Sequence, residues 1–168
     1  MKKIAVVGPE STGKSTLSKM LADELEGLWI PEYARIYLEA NGLDYKKADV
    51  ENIAKHQYEL EKSAEEVAQN QWIVCDTNLL VIKVWMQYKY NDYPKWIDQK
   101  LKQETLYILS KPDMPWVSDP LRENPHNRDE LYEIYFDLLK KSGAQFTEVE
   151  GNEKQRLTNS LKWLSQFQ

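Results

Sequence analysis

The chain has 168 residues, of which 42% are hydrophobic, and these values suit a single domain over residues 1–168 better than two domains. A net charge of −5 without a long basic stretch argues against general binding to nucleic acids or to anionic membranes. One cysteine permits no intrachain disulfide, and the sequence suggests neither a secretory leader nor an apolar run of about 20 residues, so we expect a cytoplasmic protein.

The spacing of apolar residues predicts short strands that alternate with helices. Strands are predicted where a brief apolar run ends at a polar or turn residue, and helices where apolar residues recur every three or four positions. In chain order, the predicted elements are strand 4–7, helix 14–26, strand 28–30, helix 32–40, helix 47–70, strand 72–75, helix 78–90, helix 95–103, strand 105–109, helix 129–141, strand 146–149 and helix 153–166. This alternation indicates an α/β fold with a mostly parallel sheet covered on both faces.

The segment between the fourth strand and the next helix, residues 111–128, is predicted to be a loop. It reads KPDMPWVSDPLRENPHNR, with four prolines and no periodicity of helix or strand. Because loops of this length in compact domains are usually either functional or disordered, we interpret the segment as a lid.

Residues 8–15 read GPESTGKS and match the phosphate-binding pattern G-x-x-x-x-G-K-[ST]. The pattern lies between a strand and a helix, where backbone N–H groups and the helix N-terminus can cradle phosphates. It predicts a P-loop NTPase fold in which Lys14 reaches the β- and γ-phosphates. The predicted nucleotide-binding residues of the loop are Gly8, Glu10, Ser11, Thr12, Gly13, Lys14, Ser15 and Thr16. Glu10 is an unusual anion in such a loop, and we expect its side chain to point into solvent or towards the acceptor.

A Mg²⁺ site is predicted from two residues. The Ser15 hydroxyl of the P-loop pattern is the usual first ligand. Asp76 follows four apolar residues at the end of the third strand, where a carboxylate can act on the ion directly or through water. The same position suits the N-cap of the following helix, and the two roles are compatible.

The sequence argues against a GTPase. Residues 110–113, SKPD, resemble the guanine-reading pattern [N/T]-K-x-D, but the first residue is Ser. The D-x-x-G switch pattern is also absent, since no glycine of the chain has an aspartate three positions before it.

A small-molecule kinase needs a base for the acceptor hydroxyl, mobile cations for the transferred phosphoryl group and an acceptor pocket. Glu32 follows the second strand. There its carboxylate can accept a hydroxyl proton, or it can simply be a first-turn residue that the helix dipole stabilises. Arg122 and Arg128 of the lid can neutralise charge on the phosphoryl group or remain surface residues. Trp85 belongs to a group of aromatic residues that can wall a base pocket or pack in the core.

Beyond the P-loop, the sequence resembles the ribosylnicotinamide kinase domain of NadR-type NAD-biosynthesis proteins. The resemblance is carried, in order, by GPESTGKSTL, PEYAR, the pair HQ, the strand-end DT, PDMPWVSDPLR and GNEKQR. It implies a kinase-type P-loop fold with strand order 2-3-1-4-5 and a lid. It also implies ATP- and Mg²⁺-dependent phosphorylation of the 5′-hydroxyl of nicotinamide riboside, which gives nicotinamide mononucleotide.

The resemblance further implies roles for individual residues. The acceptor side would include Glu32, Tyr33, Arg35 and Gln57, with Asp76 beside the metal and the acceptor hydroxyl. Trp116, Asp119 and Arg122 would belong to the lid, with Trp116 and Asp119 facing the acceptor, and Asn152 and Arg156 would lie near the adenine. Bifunctional members carry an adenylyltransferase domain, for which this chain has no room, so we expect the kinase domain alone.

The leading hypothesis from the sequence is a kinase for a nucleoside-type small molecule, with nicotinamide riboside as the acceptor. A kinase for another nucleoside or nucleotide and a regulatory P-loop ATPase without a metabolite acceptor are the alternatives. Whether Glu32 or Asp76 orients the acceptor hydroxyl is left open.

Overall fold

The computed structural model contains a five-stranded sheet with all neighbouring strands parallel. The structure describes residues 2–68, 71–101 and 104–167. The strands lie in the order β2-β3-β1-β4-β5, which confirms the predicted 2-3-1-4-5 arrangement. Their bounds are β1 Lys2–Val7, β2 Leu28–Ile30, β3 Trp72–Asp76, β4 Leu106–Ser110 and β5 Phe146–Val149.

Helices connect the strands in the predicted order, and their ends differ from the predicted ends by a few residues. They are α1 Lys14–Glu24, α2 Tyr33–Asn41, α3 Lys47–Val67, α4 Leu79–Tyr90, α5 Trp96–Lys100, α6 Arg128–Ser142 and α7 Glu153–Leu164, followed by a 3₁₀ turn Ser165–Phe167. α1 ends before the predicted Glu26 because that residue adopts a left-handed φ of 49°. The predicted helix ends at Asn70 and Gln103 lie outside the described residues.

The sheet separates two apolar layers, because successive strand residues point to opposite faces. In β1, the buried Ile4 and Val6 pack with α1 and α7, whereas the buried Ala5 and Val7 pack with α3, α4 and α6. A third apolar cluster joins α3 and α4 to α5. No helix within the described ranges combines the length and the apolar character that a membrane span requires.

The parallel register brings the carboxyl ends of the strands to one edge of the sheet. Val6 of β1 pairs with Asp76 of β3, and Val7 pairs with Leu109 of β4. Ligands of open α/β sheets bind at this edge. Gly8 begins the P-loop there with a φ of 135°, and a Cβ at this position would lie only 2.6 Å from the carbonyl oxygen of Ser110. Only glycine allows the loop to start this close to β4.

Arg156 ties the start of the lid to the ends of β4 and β5. Its side chain is 1% exposed and forms an ion pair with Asp113. The guanidinium donates to the carbonyls of Gly151 at 2.8 Å, Val149 at 3.2 Å and Lys111 at 3.2 Å. The planar fork of an arginine can satisfy several such acceptors at once, so this residue acts as a structural clamp.

Replacing Arg156 with lysine is expected to lower the free energy of unfolding by about 3 kcal/mol, because one ammonium group cannot satisfy three carbonyls and a carboxylate together. The measurement is urea denaturation followed by circular dichroism. Lys154→Gln, at an exposed position of the same helix, is the control and should change the value by less than about 0.5 kcal/mol. Equal values for the two variants would contradict the clamp.

Candidate active site

The P-loop has the conformation that phosphate binding requires. Gly13 is the N-cap of α1 with a left-handed φ of 74°, and no side chain caps the helix there. The first N–H groups of α1 are therefore available to an anion, which the helix dipole also favours. The buried hydroxyl of Thr12 donates to the carbonyl of Pro9 at 2.9 Å and holds the loop closed. Ser15 and Thr16, at the start of α1, are exposed.

Lys14 is the cation of the loop. Its ammonium group donates to the carbonyl oxygen of Pro9 at 2.5 Å. Burial lowers the pKa of Lys14 below its ordinary value of 10.5, while the carboxylates of Glu32, Asp76 and Glu10 oppose this fall. The phosphates of a nucleotide would add negative charge beside Lys14 and favour its protonated form.

Glu32 lies between β2 and α2, with an extended backbone, and lines the same cavity as Lys14. Burial raises the pKa of Glu32 to about 7; the nearby Asp76 carboxylate adds to the rise and Lys14 opposes it. The hydroxyl of Thr77 lies 3.5 Å from the Glu32 carboxylate, at the limit of a hydrogen bond. A carboxylate with a pKa near neutrality can take a proton from a hydroxyl at physiological pH.

Asp76 is 4% exposed at the end of β3, and its Oδ1 atom has no hydrogen-bond partner among the described residues. Burial raises the pKa of Asp76, and the Ser15 hydroxyl and the Lys14 ammonium group oppose the rise. The N-cap of α4 is Asn78, whose side chain accepts the N–H of Leu80 at 3.0 Å. The alternative role that the sequence allowed for Asp76, capping of this helix, is therefore filled by another residue.

Ser15 and Asp76 fit a Mg²⁺ ion that binds together with a nucleotide. Both offer oxygen atoms, the ligands that Mg²⁺ prefers, and the unpartnered Oδ1 of Asp76 is free to serve as one. Within the described ranges, no cluster of three or more His, Cys, Asp or Glu side chains could hold a metal alone. An ion at this place would therefore complete its shell with phosphate oxygens and water, as Mg²⁺ commonly does.

Both arginines of the lid contact Ser11 of the P-loop. Arg122 donates to the Ser11 hydroxyl at 3.3 Å and to the carbonyl of Val117. Arg128 donates to the Ser11 carbonyl at 3.1 Å and to the carbonyl of Met114 at 2.9 Å. The Ser11 hydroxyl also accepts the N–H of Val117 at 2.9 Å. The lid is thus docked on the loop, with Arg122 in the cavity wall and Arg128 outside it.

An ion pair joins the PEYAR segment to the lid. Nη2 of Arg35 lies 3.2 Å from Oδ2 of Asp119. The N–H of Leu121 and the Arg35 guanidinium hold the pKa of Asp119 below its ordinary range. The ring of Trp116 lies 5.7 Å from the Arg128 guanidinium. Of the three predicted acceptor residues in this group, Arg35 lines the cavity, whereas Asp119 and Trp116 support the lid outside it.

A cavity of about 560 Å³ extends from the P-loop to α2, α4, α6 and the lid. Its apolar lining includes Leu38, Val84 and Leu131, and its charged lining includes Glu32 and Arg35. A volume of this size accommodates a small-molecule ligand, and the few polar groups can fix its orientation.

Trp85 lies in the cavity wall and forms with Tyr45 what we call the aromatic wall. The two rings meet edge to face with centres 5.1 Å apart, and Nε1 of Trp85 donates to the Tyr45 hydroxyl at 3.2 Å. The Tyr45 hydroxyl donates to Glu123 of the lid at 2.6 Å, and Lys89 forms an ion pair with Glu123 at 3.2 Å. Planar rings of a ligand can pack against such a wall.

Several predicted site residues do not line the cavity. Gln57 is 1% exposed, and its side-chain oxygen accepts the N–H of Tyr33 at 2.9 Å, so it fixes the first turn of α2. The Tyr33 ring stacks on His56 with centres 4.8 Å apart. Asn152 caps α7 by accepting a backbone N–H at 2.9 Å, and Arg156 is the buried clamp described above.

Sequence reasoning missed several residues of the cavity wall, among them the polar or aromatic residues Tyr45, Lys89, Glu123 and Tyr135. Burial, helped by nearby carboxylates, raises the pKa of Tyr135, so its hydroxyl remains a hydrogen-bond donor at neutral pH. The sequence places Tyr135 only among the periodic residues of the predicted helix 129–141. No local pattern marks the other three, since they come from a connection, a helix surface and the lid.

A model of the AAA domain family matches residues 3–156 of the chain. The chain is 28% identical over 160 residues to the trifunctional NAD biosynthesis/regulator protein NadR of Escherichia coli (strain K12), a match that covers 89% of the chain and 38% of that protein. The chain therefore spans well under half the length of this curated relative.

Solved structures with the same fold include NadR in complex with NR, with a TM-score of 0.78, 21% identity and coverage of 99% of this chain and 50% of that chain. NadR in complex with NAD and AMP-PNP gives a TM-score of 0.75, 22% identity and coverage of 99% and 49%. Thymidylate kinase from Ehrlichia chaffeensis gives a TM-score of 0.69 at 14% identity, and the match covers 97% of this chain and 98% of that chain. These similarities confirm the predicted P-loop fold of the kinase type.

Replacing Glu32 with glutamine is expected to stabilise the protein at pH 8 and to leave its stability nearly unchanged at pH 4. Because the pKa of Glu32 is raised from 4.5 to about 7, the folded state binds more protons than the unfolded state between these values. Stability is therefore lost as the pH rises through that interval. The expected gain at pH 8 is about 1 kcal/mol, since partial exposure screens the charge.

The measurement is urea unfolding at both pH values, with Glu59→Gln at an exposed position of α3 as the control for the change in charge. A Glu32→Gln variant that is less stable than the wild type at pH 8 would contradict the inferred cost of burying the Glu32 charge beside Asp76.

Proposed function

The chain belongs to the AAA domain family, and from this premise we propose that it is an ATP-dependent kinase that phosphorylates the 5′-hydroxyl of a riboside. Nicotinamide riboside is the proposed acceptor and nicotinamide mononucleotide the product. The observation that carries the proposal is that Lys14 and Glu32, whose pKa is about 7, line one cavity of about 560 Å³. Donor phosphates and an acceptor hydroxyl can therefore meet in a common space.

The similar proteins support the choice of substrates. NadR proteins have been solved in complex with NR and with NAD and AMP-PNP, an analogue of ATP. The nicotinamide ring of the riboside is planar and positively charged, and the aromatic wall offers Trp85, the ring type that attracts cations best. The carboxylate of Glu32 adds a favourable field for a cationic acceptor.

In the proposed transfer, the 5′-oxygen of the acceptor attacks the γ-phosphorus of ATP, and the bond from this phosphorus to the β–γ bridging oxygen breaks to release ADP. Glu32 accepts the proton of the 5′-hydroxyl as the new bond forms. Lys14 and Arg122 donate hydrogen bonds to phosphate oxygens and offset their negative charge. A Mg²⁺ ion on Ser15 and Asp76 would neutralise further charge on the phosphates.

Of the two carboxylates that the sequence left open, we assign the role of base to Glu32. Glu32 lines the cavity, whereas Asp76 interacts with Ser15 and has an oxygen suited to a metal. A base must lie within hydrogen-bond reach of the proton it takes. We propose that the adenine of ATP lies beside the turn between β5 and α7. Asn152 lies at the surface of this turn, and Arg156 fixes its shape.

A second candidate acceptor is another nucleoside or nucleotide. The fold is shared with thymidylate kinase, and an aromatic wall such as that of Tyr45 and Trp85 can stack any planar base. The acceptor panel described next distinguishes the two candidates.

Acceptor-dependent release of ADP tests the proposed reaction. The protein is incubated with Mg-ATP and a panel of ribosides, and ADP and the phosphorylated product are separated by chromatography. We expect nicotinamide riboside to raise ADP release at least about tenfold, since a bound acceptor supplies a nucleophile at high effective concentration. ADP release that is equal with and without every acceptor would contradict a kinase and favour a regulatory ATPase.

Glu32→Gln is expected to lower kcat about 100-fold or more with little change in ATP affinity, because a general base contributes roughly this factor. The kcat of the wild type should fall below about pH 7, where Glu32 becomes protonated, and this dependence should disappear in the variant. Lys14→Ala should abolish turnover by removing the phosphate contact. A Glu32→Gln variant with unchanged kcat would remove Glu32 from the role of base.

A further inference from the structure

Glu123 and Asn124 follow a turn at residues 120–121 of the lid, and we call the pair the lid turn. This pair is bound by the one anion of the P-loop. Oε2 of Glu10 accepts the N–H of Asn124 at 2.8 Å and the N–H of Glu123 at 3.1 Å. Hydrogen bonds from two successive backbone N–H groups to one carboxylate are charge-assisted and therefore among the stronger ones. The P-loop pattern leaves the residue at position 10 unspecified, so phosphate binding does not by itself require a glutamate there.

The same turn carries the side chain that supports the aromatic wall. Glu123 accepts the Tyr45 hydroxyl at 2.6 Å and pairs with Lys89 at 3.2 Å. Residue 123 thus contacts the P-loop through its backbone and the wall through its carboxylate. Movement of the turn away from Glu10 would therefore also weaken the contacts of that carboxylate with Tyr45 and Lys89.

The residue that precedes the turn is Arg122, which lines the cavity and donates to the Ser11 hydroxyl at 3.3 Å. Because Arg122 and Glu123 are neighbours in the chain, the position of the guanidinium depends on the docking of the turn. A carboxylate that faced the γ-phosphate would repel this phosphate. The hydrogen bonds that the Glu10 carboxylate accepts from Glu123 and Asn124 instead hold it towards the lid.

We propose that Glu10 is a positioning residue that latches the lid turn 123–124 onto the P-loop and so holds both Arg122 and the aromatic wall during phosphoryl transfer. This inference rests on the proposed function and assigns Glu10 to the lid rather than to the nucleotide. Without the latch, water reaches the γ-phosphate more often. The water oxygen then bonds to the γ-phosphorus, the bond to the β–γ bridging oxygen breaks, and ADP and inorganic phosphate leave without phosphorylation of the acceptor.

The kinetic test compares Glu10→Ala, which removes the latch, with Glu10→Gln, which keeps its shape without its charge. The ratio of ADP released without acceptor to ADP released with nicotinamide riboside is expected to rise about tenfold in Glu10→Ala and less in Glu10→Gln. The KM for the acceptor should rise, while the affinity for ATP changes less than about twofold. Glu59→Gln, the exposed control on α3, should match the wild type.

An unchanged ratio in both Glu10 variants would overturn the latch, and so would a loss of ATP affinity that leaves the ratio unchanged. If Glu10→Ala does not fold, Glu10→Gln supplies the same comparison, because it preserves the volume of the side chain.

Limited trypsin digestion tests the latch without any acceptor. The bond that trypsin cleaves after Arg122 contains the N–H of Glu123 that Glu10 accepts. Cleavage there, followed by mass spectrometry, should be about tenfold faster in Glu10→Gln than in the wild type and in Glu59→Gln, because the docked turn resists proteolysis. Equal cleavage rates would overturn the latch. If the proposed function is wrong, the wild type will release ADP at the same rate with and without an acceptor.

Discussion

The parallel pairing of β1 with β3 and of β3 with β2 is the constraint on which the site depends. It brings the residues that end or follow these strands, Gly8, Glu32 and Asp76, to one edge of the sheet. The loop after β1 can then turn directly into α1, because Gly8 leaves room for the end of β4. A shift of one residue in this register would move each strand side chain from one apolar layer into the other and disrupt the packing of both, so burial of the strands also fixes the geometry of the site.

The charges at this edge oppose one another in the free protein. Glu32 and Asp76 both have raised pKa values because they are partly removed from water, and Lys14 offsets only part of their repulsion. Such an arrangement costs stability, and groups with strongly shifted pKa values concentrate at functional sites. In the proposed reaction this arrangement would become favourable, because the nucleotide would bring phosphates to Lys14 and a cation to Asp76. The electrostatic strain of the fold is thus consistent with a site that is completed by its substrates.

The lid is attached mainly by polar contacts rather than by a large apolar interface. It meets the PEYAR segment through Arg35 and Asp119 and meets the P-loop through Ser11 and Glu10. Hydrogen bonds and partly exposed ion pairs exchange readily with water, so such a segment can open and close at small cost in free energy. The contacts lie both at the P-loop and at α2, on two sides of the cavity, which suits the proposed lid that responds to both substrates.

The sequence by itself determined the fold class, the order of the elements and the strand-end residues of the site. Parallel strands buried on both faces read as short apolar runs, and the P-loop pattern locates Lys14 and Ser15 directly. The strand order came from the resemblance of the motifs rather than from periodicity. Gln57 was predicted to face the acceptor, but a helical position does not reveal which element covers it, and the structure turns this side chain to the backbone of Tyr33.

Only the tertiary structure decided how the lid, the P-loop and the aromatic wall meet. Glu10 and the amide of Glu123 are 113 residues apart in the chain, and Tyr45 and Glu123 are 78 apart. Local propensity and spacing carry no information about such pairs, because their partners are chosen by the packing of whole elements. The sequence therefore supplied the groups proposed to hold phosphate, whereas the fold determined which surfaces enclose the cavity and which residues Glu10 contacts.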